Sequence, residues 1–90
     1  MDRTSFETEL QRDGYQVVVN TMQPGATNPE HQHDFDARVM VVAGEMAVVI
    51  GDQRKTYGVG DTFSMTNGCR HSEHAGPTGA TYVAGRRKPN

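Results

Sequence analysis

The chain has 90 residues, a single cysteine and a formal net charge of −2. That length makes one domain near the lower limit of self-sufficient cores, and one cysteine excludes an internal disulfide, so metal binding or association gains weight. The basic residues form no broad cluster, which argues against nucleic acid. No apolar run reaches the ~18 residues of a membrane span, so a cytoplasmic protein is expected.

The opening, "MDRTSFETELQRDG", is too polar and acidic for a signal peptide and forms a helical segment over residues 1–14. Thr4 and Glu7 have capping-box spacing, Phe6 and Leu10 share a face, and Gly14 is a fitting stop. A helix this short must pack its Phe6/Leu10 face on something else. From Tyr15 onward the pattern changes. "YQVVVNTM" reads as a strand, "QPGATNPE" as a turn, and "RVMVVAGEMAVVI" as two apolar runs with a turn at Ala43-Gly44-Glu45. "GDQ" makes a hairpin before "RKTY"; "TFSM" alternates; "TNGCR" turns; "HSEHA" is extended; "GPTG" turns again; and "ATYVAG" is the last strand. Short strands at spacings of about 8 to 12 residues indicate an all-β sandwich or barrel. Val39 and Val41 alternate with Met40 and Val42, so some strands are apolar on both faces. The outer face needs cover from a second sheet, the helix or another subunit, and a homodimer is expected. The final basic run, Arg86-Arg87-Lys88, reads as a solvated terminus.

The four histidines fall in two places, His31 with His33 and His71 with His74. Residues two apart on a strand share a face, so His31 and His33 project together, and imidazole is a good ligand for divalent transition metals. Two ligands hold an ion weakly, and His71 is the natural third. Three residues from His71, His74 faces away in a regular strand. Cys69 has the parity of His71 but lies in a turn, and reads as an unreactive turn residue. Tyr57 and Tyr82 read as packing residues first, and Glu73 and Arg38 as outer-surface or interface pairs of little energetic weight.

These residues resemble the cupin family (RmlC-like cupins). Its first motif is Gly, five residues, His-x-His, three or four residues, Glu, six residues, Gly. Here Gly25, His31, His33 and Gly44 match, and Ala37 stands at the glutamate. The second motif is Gly, five residues, Pro-x-Gly, two residues, His, three residues, Asn. Gly60, Gly68 and His71 match, whereas Thr66 and Ala75 replace the proline and asparagine. The resemblance spans residues 25–75 and implies a single cupin domain over 1–90, a small β-barrel or double-stranded jelly roll with one short N-terminal helix. It implies metal ligation by His31, His33 and His71, with the usual carboxylate missing at Ala37. Gly25, Gly44, Gly60 and Gly68 become turn positions.

Three arrangements answer the missing carboxylate. A three-histidine centre can leave positions open, as in some cupin-like dioxygenases, and would take Fe, Mn, Ni, Zn or Cu. Asp34 or Asp36 can supply a carboxylate, although both have the wrong strand parity unless a bulge intervenes. Or no metal binds, and the histidines line an organic-ligand pocket. The functional expectations follow in the same order: a metal-dependent, oxygen-using enzyme acting on a small organic substrate, then a non-catalytic small-molecule binding or sensing module. A metal-free isomerase with His71 as base ranks last.

Overall fold

The computed structural model describes residues 1–89. A ten-residue helix, α1 (Arg3–Arg12), precedes six strands: β1 (Gln16–Met22), β2 (Thr27–His31), β3 (Asp36–Ile50), β4 (Gln53–Gly58), β5 (Thr62–Met65) and β6 (His71–Arg87). The all-β expectation with one short helix is met, and among the described residues no helix is long and apolar enough to cross a membrane.

Two long strands organise everything else. β3 and β6 pair antiparallel along most of their lengths, from Asp36↔Arg87 to Val49↔Ser72. The first half of β3 also pairs with β5 and its second half with β4. The first half of β6 pairs with β2, and its second half with β1. The sheet therefore consists of two halves joined through one bent pair of strands.

The bend corrects the turns expected at Ala43-Gly44-Glu45 and at "GPTG". Neither ends a strand. Register shifts fall between Val41/Ala43 and Gly44/Met46, and opposite the second the partner of Gly44 is Ala80 while that of Met46 is Ala75, so residues 76–79 bulge from β6. Such bulges sharpen strand bending without ending the ladder. Gly44 has φ 69°, and a Cβ there would overlap the carbonyl of Gly79. Only glycine meets both demands, the backbone angle and the close approach.

The bend folds an apolar interior from Met22, Val41, Met46, Val48 and Ala80, edged by Tyr57, Phe63 and Tyr82. The outer face is covered by α1. Phe6 and Leu10, both fully buried, pack on Met40 and Val83, so the helix supplies the cover that Met40 and Val42 require. Arg38 ties the helix down by pairing with Glu9 at 3.3 Å and Asp13 at 3.7 Å. The cap is Asp2, which accepts from the Ser5 amide at 2.8 Å, and not the expected Thr4 box. The helix starts two residues earlier than Thr4 capping allows, and a carboxylate on the free amides of the first turn fills that role well. Gly14, with φ 80°, ends the segment as expected.

Candidate metal centre

The site forms where β2 meets the start of β6. His31, the last residue of β2, lies directly opposite His71, the first of β6, after a register shift between Asn28 and His31. His33 is not on the strand. It sits in the following connection, where its carbonyl accepts from the Gly68 amide at 2.8 Å. That bond joins the loop after the first histidine pair to the turn before His71. The three ring centroids are 4.4 to 5.5 Å apart, and one ligand atom from each imidazole falls within 4.8 Å of the others. Phe35 stacks on the His33 ring at 4.6 Å and limits its swing.

Two of the rings are oriented through their far nitrogens. Nδ1 of His71 lies 3.0 Å from the carbonyl oxygen of Cys69, and Nδ1 of His31 lies 2.7 Å from that of Pro29. A carbonyl only accepts, so each Nδ1–H is the donor and each ring turns its Nε2 the other way. Metal-binding histidines characteristically donate their other N–H in this way. His71 is 1 % exposed, and its Nε2 is the one buried side-chain polar atom with no hydrogen bond among the described residues. A buried lone pair without a donor is costly unless a cation or proton meets it. Burial, followed by the neighbouring His31 and His71, holds the His33 pKa below its ordinary value and so favours the neutral, ligating form.

The other sequence candidates lie elsewhere. Asp34 pairs with Lys88 at 2.9 Å on the surface, and Asp36 accepts from the Asn67 amide at 2.9 Å. Neither aspartate belongs to the cluster. Cys69 contributes its backbone carbonyl and not its thiol. His74 faces away as expected, held by Thr27 at 3.2 Å and Ser72 at 3.1 Å. Tyr57 packs on Phe63 at 4.5 Å.

One expectation fails. Glu73 is not an outer-surface residue; it is 8 % exposed and faces the histidines. Oε1 accepts from Asn28 Nδ2 at 2.8 Å, and Oε2 lies 3.4 Å from Nε2 of His71. The available signal was the i, i+2 relation of His71 and Glu73, the same one that paired His31 with His33.

The cluster closes one end of a pocket of about 170 Å³, whose walls include Ala37, Val39, Tyr82 and Arg86. That is below the usual range for drug-sized ligands and suits a small molecule. Burial, then the Glu73 carboxylate, raises the Tyr82 pKa, so the phenol stays protonated. The Arg86 guanidinium lies 5.1 Å from the centre of the Phe35 ring, with no carboxylate partner among the described residues.

A small bent antiparallel barrel with three converging imidazoles lining its pocket is the arrangement that the residues build. The chain belongs to the cupin family: residues 9–83 match the family described as Cupin domain. No curated protein sequence matches it. Among solved structures, a Rhizobium leguminosarum protein of unknown function superposes with TM-score 0.79 at 17 % identity, covering 86 % of this chain and 73 % of that one. An RmlC-like cupin from Shewanella frigidimarina gives 0.74 at 24 % identity, covering 84 % and 68 %. The oxalate decarboxylase of Bacillus subtilis, whose Mn(II) centres have been studied, gives 0.74 at 24 %, covering 86 % of this chain but only 22 % of that one. These likenesses establish the shared fold.

Proposed function

We propose that this cupin binds one divalent transition metal ion through His31, His33 and His71, and that it acts on a small organic anion in the adjoining pocket as a non-haem oxygenase-like enzyme. The observation that carries the metal reading is the orientation of His31 and His71, whose Nδ1–H groups are committed to backbone carbonyls while Nε2 of His71 is buried with no donor. Fe, Mn, Ni, Zn or Cu each suits an imidazole-rich set. Such an ion, when bound, supplies Lewis acidity and, if redox-active, electron transfer.

The residues of the chain do the rest. Arg86, which lines the pocket, offers a guanidinium without a carboxylate partner among the described residues to a carboxylate or enolate, and guanidinium pairs with such anions in a fork geometry. Tyr82 offers a protonated hydroxyl from the wall. Val39 and Ala37 keep the floor apolar. The second reading, a non-catalytic binding or sensing module, keeps the small size and the missing motif glutamate in its favour, while Tyr82 and Glu73 supply polar groups near the histidines. A homodimer belongs to the same proposal, on the exposed Val19, Ile50 and Val59.

The test loads stripped protein with Fe(II), Mn(II), Ni(II) or Zn(II) and follows stoichiometry by calorimetry, then oxygen uptake with diketones, thiols and phenols. One ion per chain, lost in His31→Ala, is expected. Binding that is absent, or unchanged in that variant, contradicts the metal site. Metal binding without turnover of any substrate class favours the sensing reading.

A further inference from the structure

The family's first motif keeps a carboxylate at the position of Ala37, and that side chain is lost here. We infer that Glu73 restores it from the opposite strand, as the fourth protein ligand of the metal held by the three histidines. This rests on the metal-binding reading above.

Three observations converge. First, Glu73 is buried and lines the same pocket as Ala37, so a carboxylate is available in the cavity from which the motif's own is missing. Carboxylates are seldom buried without a partner of opposite charge. Among the described residues its one partner of basic type within ion-pair range is His71, whose Nε2 lies 3.4 Å from Oε2 and makes no hydrogen bond. Both atoms are of ligating type, and a cation placed between them meets both at once.

Second, the separation is that of two ligands on one ion. Ligands bound at about 2.1 Å around a tetrahedral centre stand about 3.4 Å apart. Third, Glu73 is aimed. Asn28, its register partner on β2, holds Oε1 at 2.8 Å and leaves Oε2 turned to the histidines. Hydrogen bonding of a ligating carboxylate by a neighbouring amide is how such groups are usually oriented. The carboxylate joins from the His71 side and lies outside the set of atoms that the imidazoles bring within 4.8 Å, so ion capture draws it inward by rotation of its own side chain.

The consequence is a relocated ligand: three imidazoles and one carboxylate, with the negative charge arriving from β6 and the β3 wall left as bare Ala37. That wall becomes room for substrate on the side where the family motif places a ligand.

The probe is Co(II), whose visible bands report the ligand set. Stripped wild-type protein is titrated beside Glu73→Gln and Glu73→Asp, with circular dichroism confirming that each variant folds. The inference expects Glu73→Gln to bind Co(II) at least about tenfold more weakly, with altered band positions and intensities. An unchanged affinity and spectrum overturns it, and so does weaker binding with an unchanged spectrum, which places Glu73 outside the coordination sphere. Should the Gln variant not fold, the Asp variant decides: shortening a ligand arm must alter the bands, and unaltered bands overturn the assignment. If wild-type protein binds no Co(II), the metal reading itself fails, and this inference with it.

Discussion

Glu73 and His71, two residues apart on β6, face each other across 3.4 Å inside the pocket, carboxylate to imidazole, both buried. This pair sets the charge of the site. His71 is oriented by a turn carbonyl and Glu73 by a cross-strand amide.

Arg86 is the substrate's anchor in this account. Arg86→Gln is expected to leave metal affinity near that of the parent and to weaken binding of small carboxylic acids and enols about tenfold or more, since one charge-assisted hydrogen-bond pair is worth roughly 1.5–3 kcal/mol. Thermal shift across an acid panel on metal-loaded protein measures it. Equal shifts in both proteins remove Arg86 from the site.

The pH dependence follows from His33. Its folded pKa lies below the ordinary value of 6.5, chiefly through burial and then through repulsion from His31 and His71. Below about pH 6.5 the unfolded chain takes up a proton at His33 that the folded chain resists. The stability present above that pH is therefore lost as pH falls through the depressed value. Wild-type apoprotein should lose more melting temperature between pH 7.5 and 5.5 than His33→Asn does. Parallel profiles would show that His33 is not linked to folding.

Gly44 separates steric overlap from backbone angle. Gly44 and Gly51 have similar φ, 69° and 61°, but a Cβ at Gly51 meets nothing within 4 Å while one at Gly44 overlaps the Gly79 carbonyl. Gly51→Ala should cost roughly 1 kcal/mol and Gly44→Ala at least ~2 kcal/mol more, read by urea unfolding. Equal costs would mean that the bend tolerates separation of β3 from β6.

Leu10 tests the helix as a lid on the outer face. It is fully buried beside Met40 and Val83, and Leu10→Ala should cost about 2–5 kcal/mol. The helix contacts the face opposite the pocket, so metal affinity of the folded fraction should stay at the parent value. A large affinity loss would show that the lid and the site are coupled.

Much of this was legible in the residues. The His31, His33 and His71 set was legible from the motif spacing, although His33 lies in the connection after β2 and not on one strand with His31 as parity assumed, and the four motif glycines mark positive-φ positions at Gly25, Gly44, Gly60 and Gly68. The bends were not legible as bends. "AGE" and "GPTG" carry turn residues, and only the continued pairing of β3 with β6 distinguishes a bulged strand from two strands. Glu73 was hidden for a different reason. Glutamate is ordinarily solvent-facing, and the residue that justifies its burial, Asn28, is 45 positions away and meets it only through strand register. The missing carboxylate at Ala37 can be seen in one dimension; the burial of Glu73 beside His71 cannot.

The most direct test of the central claim is an anomalous difference map from crystals grown with the ion that the protein retains on purification, or with Co(II) if it retains none. The account predicts one strong peak per chain within about 2.0–2.3 Å of a nitrogen of each of His31, His33 and His71. A map without a peak there, or with its peak at Cys69 or His74, contradicts it.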